Sequence, residues 1–324
     1  MNRRTFLGTL ASGLLAAPLF AEAQQAGKVY RVGVVLEGGP YYAAVDGLRD
    51  GLKELGFDEG THYNLHIRDV KGNLSAVGET AKNLEREGID LIYSVATGVS
   101  VAVQGATTKV PIVFYAGVDP VAVGLVKSLA RPGGRITGVH SRQVDLIGKR
   151  LGILKEIVPT LRRVVAFYNP DNPALRDGAT TAREATRQLG VELVERHVRT
   201  VDELRAGLRG LKAGEVDAIL VWDAMVVSQS QLIVDTAKTK KLPAMFFDRT
   251  SVAGGGLASY GTSYYGVGRL AAKYVHRVLS GTSPADMPVE MSDRYELVIN
   301  LKTAKAIGLT IPPSLLQRAD QVIE

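Results

Sequence analysis

Small, hydroxyl-bearing, acidic and aromatic residues recur directly after short apolar runs of this sequence. Small residues and hydroxyls at helix starts can present free backbone N–H groups to an anion such as a carboxylate. Carboxylates can hold an ammonium group, and tyrosine or tryptophan can flank an apolar group. The candidate ligand-binding residues in these positions are Gly38, Pro40, Tyr41, Thr97, Gly98, Ser100, Asp119, Asn169, Asp171, Trp222, Asp223, Asp248, Tyr260 and Tyr265. The same residue types also serve as helix caps and turn formers, so only their convergence at strand ends favours a binding site.

Side chains that carry catalysis or bind metals are sparse. Cysteine is absent, which excludes thiol catalysis and cysteine-bound metals. The sequence has no Gly-x-Ser-x-Gly elbow, no P-loop and no His-Glu-x-x-His motif. The histidines do not cluster; His62 and His66 share one face of a predicted strand, where surface positions explain them about as well as a metal site would. We expect no enzymatic activity, no cofactor and no metal.

Charge and length suggest a two-domain protein with a solvated surface. The 324 residues include 39 lysines and arginines and 33 acids, which gives a formal net charge of +6. The basic residues are scattered along predicted helices among a comparable number of acids, so a nucleic-acid-binding patch is not indicated.

The first 23 residues have the pattern of a secretory signal peptide. Arg3 and Arg4 precede an uncharged stretch over residues 7–20, and Ala21-Glu22-Ala23 places small residues where a signal peptidase cleaves. The paired arginines are typical of twin-arginine export, with the general secretory route as the alternative. The uncharged stretch is shorter than the roughly 20 residues that cross a bilayer. We therefore expect cleavage near Ala23 and a periplasmic mature chain.

Alternation of apolar runs with longer amphipathic segments predicts a doubly wound α/β architecture with parallel sheets. Strands buried on both faces of a parallel sheet are almost continuously apolar, and such runs span residues 30–36, 91–95, 112–115, 164–168, 218–221 and 244–247. Helical patterns over residues 43–55, 74–87 and 174–189 each precede a glycine suited to a left-handed C-terminal cap.

The βα pattern occurs twice, which predicts two lobes rather than one very large sheet. We assign residues 28–139 and 262–283 to lobe 1, and residues 140–261 and 284–324 to lobe 2. A helix over 264–279 and a strand over 296–300 return the chain to one lobe and then the other. The run Gly266-Val267-Gly268-Arg269-Leu270-Ala271 imitates a dinucleotide fingerprint, but it lies inside that helix, which favours close helix packing. Two lobes with several crossings form a cleft beyond the carboxyl ends of the strands, where α/β sheets bind ligands.

Several motifs closely resemble the signatures of one protein family. They are Gly255-Gly256-Leu257-Ala258-Ser259-Tyr260-Gly261, Tyr264-Tyr265, Pro284-Ala285-Asp286-Met287-Pro288-Val289-Glu290, Glu296-Leu297-Val298-Ile299-Asn300-Leu301-Lys302-Thr303-Ala304 and Ile307-Gly308-Leu309-Thr310-Ile311-Pro312-Pro313, with Asp119-Pro120, Gly124-Leu125-Val126, Ala130-Arg131-Pro132-Gly133-Gly134 and Thr137-Gly138-Val139 upstream. The chain thereby resembles the substrate-binding proteins of ABC transporters over essentially its whole mature length. Matched position by position, the family's cleft falls at residues 38–41 and 97–100, Asp119, Asn169, Asp223, Asp248, Tyr260 and Tyr265.

The resemblance implies a type I periplasmic-binding-protein fold and a monomeric receptor. Such a receptor binds a small organic solute between its lobes and delivers it to an inner-membrane ABC permease and its ATPase. The better-known relatives bind tryptophan, tyrosine or phenylalanine, which makes an amino acid with an aromatic or apolar side chain the expected ligand. The loop over residues 37–42 and the pair Trp222-Asp223 differ from the amino-acid-binding members, so another small solute stays open.

Two other classes share this scaffold. One is an exported enzyme of unknown chemistry. The other is the effector-binding domain of a sugar-responsive repressor, which would carry an N-terminal DNA-binding headpiece where this chain has its predicted signal peptide.

Overall fold

A computed structural model describes residues 28–324, so the predicted signal peptide lies outside the described residues. The first lobe begins with five parallel strands and three helices. These are β1 (Tyr30–Leu36), α1 (Tyr42–Glu54), β2 (Tyr63–Asp69), α2 (Val77–Arg86), β3 (Leu91–Val95), α3 (Thr97–Ala106), β4 (Ile112–Ala116) and β5 (Ile136–His140). Single 3-10 turns, Gly39–Tyr41 and Leu74–Ala76, lead into α1 and α2.

The chain then builds a second lobe of the same kind. Its elements are α4 (Ile147–Ile157), β6 (Arg163–Tyr168), α5 (Pro173–Leu189), β7 (Glu192–His197), α6 (Val201–Gly210), β8 (Ala218–Leu220), α7 (Ala224–Ser228), α8 (Ser230–Lys240), β9 (Ala244–Phe246), α9 (Arg249–Ala253) and β10 (Ala258–Thr262). The six apolar runs and three helical patterns found in the sequence are all confirmed to within a few residues at each end.

The last part of the chain contributes to both lobes. Its elements are α10 (Tyr264–Leu279), β11 (Glu290–Met291), β12 (Tyr295–Asn300), α11 (Leu301–Ala306), α12 (Pro313–Leu316) and β13 (Gln321–Ile323). The first sheet has the order β11-β5-β4-β3-β1-β2, and the second has the order β13-β12-β10-β9-β8-β6-β7. Only the β10–β12 pair is antiparallel among the described strands. The predicted doubly wound α/β architecture is confirmed.

The chain crosses between the sheets after β5, after β10 and after β11. The sequence placed the third crossing at residue 284, which is too early. β11 pairs in parallel with β5, and the Thr137 hydroxyl donates to the Met287 carbonyl at 2.7 Å. These bonds hold residues 287–291 on the first sheet, so the chain joins the second sheet only at β12.

Burial on both faces of the second sheet explains its apolar strands. Along β6, Val164, Ala166 and Tyr168 belong to a hydrophobic cluster confined to the second lobe. Val165 and Phe167, which point the other way, belong to a cluster that continues into the first lobe. Successive side chains of a strand face opposite sides of the sheet, so each residue from Val164 to Tyr168 packs against apolar neighbours. No helix within residues 28–324 is long and apolar enough to cross a membrane.

Close packing of α10 on α1 confirms the interpretation of the glycine-rich run in α10. A β-carbon built on Gly268 would lie 2.0 Å from the carbonyl oxygen of Ala44 in α1. One built on Gly47 would lie 2.0 Å from the carbonyl oxygen of Tyr265. Only glycine permits this approach, and the contact fixes the start of α10 beside the cleft.

Candidate functional site

A cavity of about 880 Å³ lies between the lobes at the carboxyl ends of the strands. This volume is within the range of small-molecule sites. Residues that follow β1, β3 and β4 form one wall, and residues that follow β6, β8 and β9 form the other. The lining residues used below are Glu37, Tyr41, Ala96, Thr97, Gly98, Tyr115, Gln143, Arg150, Asn169, Trp222, Asp223, Phe247 and Tyr264.

Four aromatic rings form one side of the cavity. Tyr264, at the start of α10, lies at ring-centroid distances of 4.9 Å from Tyr41, 5.7 Å from Tyr115 and 6.4 Å from Phe247. The Tyr115 hydroxyl is hydrogen-bonded to the Ser141 hydroxyl at 2.8 Å. Two lobes and one crossing contribute these rings, so the aromatic wall is complete only when the lobes are together.

Arg150 places a buried cation on the cavity wall. Its side chain is on the inward face of α4 and the residue is 1% exposed. Nε donates to the Tyr260 carbonyl at 2.6 Å, Nη1 donates to the Gln143 carbonyl at 3.0 Å, and Nη2 donates to Gln143 Oε1. Three of the five N–H groups of the guanidinium are thereby used. No described carboxylate forms an ion pair with it, and burial lowers the pKa of Arg150 to about 10.

The start of α3 offers a second site for an anion. Ala96, which precedes the helix, has φ 102° and provides no side-chain cap. Its conformation is strained for a residue with a β-carbon, while the Thr97 hydroxyl accepts a hydrogen bond from the Gly117 N–H at 3.0 Å. The uncapped start of α3 therefore borders the cavity at Thr97 and Gly98, where a carboxylate can accept hydrogen bonds from first-turn N–H groups.

Two acids from opposite lobes also reach the cavity. Asp223 caps α7: its Oδ1 accepts from the Met225 N–H at 2.7 Å and from the Val226 N–H, and its Oδ2 accepts from the Asn169 N–H at 2.8 Å. Burial still raises the pKa of Asp223 to about 6. Glu37 follows β1 and is 3% exposed. Burial, reinforced by the charge of Asp223, raises the pKa of Glu37 to about 8.

Two buried donors on the wall have no partner among the described residues. They are the Gln143 Nε2 group and the Trp222 Nε1 group. Trp222 packs on Tyr168, with ring centroids 5.4 Å apart, so its position is fixed. Such unpaired buried donors are costly unless a ligand or water accepts from them.

The lobes touch at the mouth of the cavity. A β-carbon built on Gly39 would lie 2.8 Å from the carbonyl oxygen of Ser228 in α7. One built on Gly72 would lie 3.0 Å from the Ser228 hydroxyl and 3.2 Å from a methylene carbon of Met225. Glycines of the first lobe thus allow α7 of the second lobe to approach closely.

Six of the fourteen sequence-predicted site residues line the cavity: Tyr41, Thr97, Gly98, Asn169, Trp222 and Asp223. The other eight do not. Gly38 has φ 83° and faces Asp69, and Pro40 is buried in the turn before α1. Both shape the loop that carries Tyr41. Ser100 is turned into the first lobe, where its hydroxyl bonds to Ser94 Oγ and to the Ala96 carbonyl, each at 2.9 Å.

Three predicted acids have local structural partners instead. Asp119 is exposed and accepts from the Val121 N–H at 2.8 Å, as a turn former does. Asp171 is exposed and pairs with Arg199 at 2.7 Å. Asp248 is buried behind the wall, where it caps α9 by accepting from the Ser251 N–H at 2.8 Å. Asp119 and Asp248 therefore act as a turn former and a helix cap, whereas Asp171 forms an exposed ion pair.

The two predicted tyrosines near the crossing also miss the cavity. Tyr265 is 38% exposed and donates to Asp50 at 2.7 Å, while Tyr264, one position earlier, lies in the aromatic wall. Tyr260 packs against Tyr295 and offers its carbonyl to Arg150.

The sequence pattern does not single out Glu37, Tyr115, Gln143, Arg150 or Phe247 as site residues, and of the neighbours Tyr264 and Tyr265 it favours the one that lies outside the cavity. One signal was present for Arg150, because it lies in the apolar stripe formed by Ile147, Leu151 and Leu154 of α4, where a charge is unexpected. The described residues contain no cluster of three histidine, cysteine, aspartate or glutamate side chains that could hold a metal.

The family and the relatives that this chain resembles are consistent with a ligand-binding cavity between two lobes. A family model described as ABC transporter substrate binding protein matches residues 30–323. A tyrosine-binding protein of Clostridioides difficile is 28% identical over 267 residues, which are 82% of this chain and 76% of that protein. An ABC domain from Streptococcus pneumonia in complex with L-Trp has a TM-score of 0.81 at 27% identity, covering 91% of this chain and 100% of that one.

A ligand-free, open substrate binding protein from Clostridium difficile gives a TM-score of only 0.59, at 25% identity and with 91% of this chain and 99% of that chain covered. The two solved structures are almost equally similar to this chain in sequence. This chain is therefore more similar in structure to the ligand-bound neighbour than to the open one, and Gly39 and Gly72 of its first lobe lie close to Ser228 of its second lobe.

Proposed function

The chain belongs to the family of ABC transporter substrate-binding proteins and has a type I periplasmic-binding-protein fold, and from this premise we propose that it is the solute receptor of an importer. In this proposal the lobes close over one small organic solute, and the closed receptor delivers it to an inner-membrane permease driven by an ATPase. The signal peptide predicted over residues 1–23 assigns the receptor to the periplasm.

The proposed ligand is an amino acid with an aromatic or apolar side chain. A relative named for binding tyrosine and a neighbour in complex with L-Trp support this class. The observation that carries the proposal is Arg150, a buried cation on the cavity wall that pairs with no described carboxylate. A buried charge needs a partner, and the carboxylate of an amino acid supplies one. The uncapped start of α3 provides further donors for the same group.

The aromatic wall suits the side chain of such a ligand. Tyr41, Tyr115, Phe247 and Tyr264 line one side of the cavity and pack on one another, so they offer an aromatic surface to the ligand. Burying a large apolar side chain there contributes about 1.5–3 kcal/mol. The partnerless Trp222 Nε1 and Gln143 Nε2 groups remain to donate to polar atoms of the ligand.

A thermal-shift screen tests the proposal. Amino acids with apolar or aromatic side chains should raise the melting temperature of the mature protein, whereas sugars and polyols should not. A ligand at a hundredfold excess over its dissociation constant stabilises the folded state by about 2.7 kcal/mol. A receptor leaves its ligand unaltered, so recovery of a chemically changed ligand would support the exported enzyme instead. Stabilisation by sugars alone would contradict the proposed ligand class.

A further inference from the structure

Glu37 of the first lobe and Asp223 of the second lobe both line the cavity but differ in their surroundings. Asp223 accepts hydrogen bonds from three backbone N–H groups, those of Asn169, Met225 and Val226. The Glu37 carboxyl receives no hydrogen bond and no ion pair from any residue between 28 and 324, and only burial and the negative charge of Asp223 act on it. Closing the lobes therefore removes the Glu37 carboxylate from water and brings it towards a second carboxylate, and both changes are unfavourable.

The groups around Glu37 do not neutralise it. The turn that follows β1 brings Tyr41, and α10 brings Tyr264, next to the cavity. The second lobe contributes the acids Asp223 and Asp248, each at the start of a short helix. Arg150 is the cation of that wall, but it is bonded to Gln143 and Tyr260, and its charge acts on Asp248 rather than on Glu37. Lys71 and Arg199 also line the cavity, but Arg199 pairs with Asp171, and neither cation is among the groups that shift the pKa of Glu37. A bound molecule can supply the missing positive charge.

We propose that Glu37 gates closure of the cleft: the lobes close stably when the bound molecule brings an ammonium group against Glu37, and analogues without a cationic amine are rejected. This inference rests on the proposed receptor function and makes Glu37 the residue that selects for an amine. The ammonium then lies between Glu37 of the first lobe and Asp223 of the second, so one ligand charge relieves the repulsion between two acids.

A proton can replace the ammonium, which gives the gate a pH dependence. In an open cleft Glu37 is solvated and has its ordinary pKa near 4.5, whereas closure raises this pKa to about 8. The closed form without a ligand cation therefore takes up a proton between these pH values. Its population relative to the open form falls by about tenfold per pH unit as the pH rises from 5 to 8, and then levels off. An amine ligand removes this dependence because no proton is taken up.

Titrations of the mature protein with L-tryptophan and N-acetyl-L-tryptophan between pH 5.5 and pH 8 test the gate. For the wild type we expect a nearly constant affinity for L-tryptophan and an affinity for the acetylated probe that weakens steadily with pH. Glu37→Gln keeps the side-chain shape but removes the charge. It should weaken L-tryptophan binding roughly 10- to 100-fold and abolish the pH dependence for the acetylated probe. Glu184→Gln, on an exposed position of α5, serves as the matched control and should change neither.

Small-angle X-ray scattering of the ligand-free protein tests the gate independently of any ligand. At pH 8, Glu37→Gln should have a smaller radius of gyration than the wild type because its closed form carries no repulsion, and at pH 5 the two should agree. Equal radii at both pH values, with equal affinities for L-tryptophan, would overturn the gate while leaving the receptor function intact. Failure of every amino acid to bind, with the pH-dependent difference in radius present, would overturn the proposed ligand class and leave the gate standing.

Discussion

Helix starts differ between the two lobes. In the second lobe Thr200, Asp223 and Asp248 directly precede α6, α7 and α9, and the side chain of each accepts a hydrogen bond from a first-turn N–H. In the first lobe α1, α2 and α3 have no side-chain cap. α1 and α2 continue from 3-10 turns, but α3 starts directly beyond β3 at Ala96. The division is not complete, because α4 and α8 of the second lobe have no side-chain cap and Ser263 caps α10. At the cavity, however, the starts of α7 and α9 are satisfied by side chains of this chain, whereas the start of α3 and Glu37 are left for a ligand.

This difference assigns separate roles to the two walls. Arg150 and the capped helices of the second lobe are held in place by many internal bonds, so that wall is preorganised. In the proposed receptor the first-lobe wall gains its partners from the ligand, and contact between the lobes completes the cavity. Variants on either side should therefore differ in whether they change ligand affinity, protein stability or both.

The largest effect is expected for Arg150→Met. Loss of the buried cation should weaken the binding of a carboxylate ligand such as L-tryptophan roughly 30-fold or more. The ligand-free protein should lose about 1–3 kcal/mol of stability, because the Tyr260 carbonyl and Gln143 lose their donor. L-Tryptophan methyl ester is the control, since the variant should no longer distinguish the acid from the ester. Calorimetry that gives wild-type affinity for the acid would remove Arg150 from the site.

Gly39→Ala should interfere with closure. Gly39 has φ 56°, and its new β-carbon would collide with Ser228 of the other lobe. Gly124→Ala is the matched control, because Gly124 has φ 72° and a β-carbon there meets nothing within 4 Å. Both should lose about 1–2 kcal/mol of stability from backbone strain. Only Gly39→Ala should weaken ligand binding, by about tenfold or more, and equal affinities for the two variants would contradict the close approach of the lobes.

Asp223→Asn tests the capped wall. The amide can still accept from the Met225 N–H, but its NH₂ cannot accept from the Asn169 N–H, so we expect a loss of about 1–2 kcal/mol. The pKa of Asp223 rises on folding from its ordinary 3.8 to about 6, so the wild type takes up a proton on folding and loses stability as the pH increases through this range. The difference in the free energy of unfolding between the wild type and the variant should be largest at pH 4 and smaller at pH 7. Urea denaturation of both proteins at pH 4 and at pH 7 measures this difference.

The smallest effect is expected in the fluorescence of Trp222, the single tryptophan of the chain. Its ring lies on the cavity wall, and its Nε1 group has no partner among residues 28–324. A ligand atom that accepts from Nε1, and the departure of water as the lobes meet, should shift the emission by a few nanometres. An unchanged spectrum at saturating ligand would place the ligand away from the second-lobe wall.

The sequence predicts the fold well because burial on both faces of a sheet leaves a direct pattern. Runs such as Val164 to Tyr168 are apolar throughout, and each is a strand. The glycines of α10 also predict close helix packing, and the approach of α10 to α1 confirms it. The third crossing was missed because β11 is only two residues long and both are exposed, so no apolar run marks it.

The site is less predictable because its residues are brought together by tertiary contacts. Residues directly after strands, such as Thr97 and Trp222, were found because strand ends of a parallel sheet meet at one edge. Arg150 lies within a helix, and which face of α4 meets the cleft depends on packing. The choice of Tyr265 over Tyr264 fails for the same reason: neighbouring positions of a helix point about 100° apart.

Mass spectrometry of small molecules released by denaturing the purified native protein tests the central claim most directly. If the lobes close over an amino acid, the released compound carries a carboxylate and an amine together with an aromatic or apolar side chain, in a molar ratio to protein approaching one. Release of a compound with neither a carboxylate nor an amine, such as a sugar or polyol, would contradict the account, because it would leave both Arg150 and Glu37 without a partner.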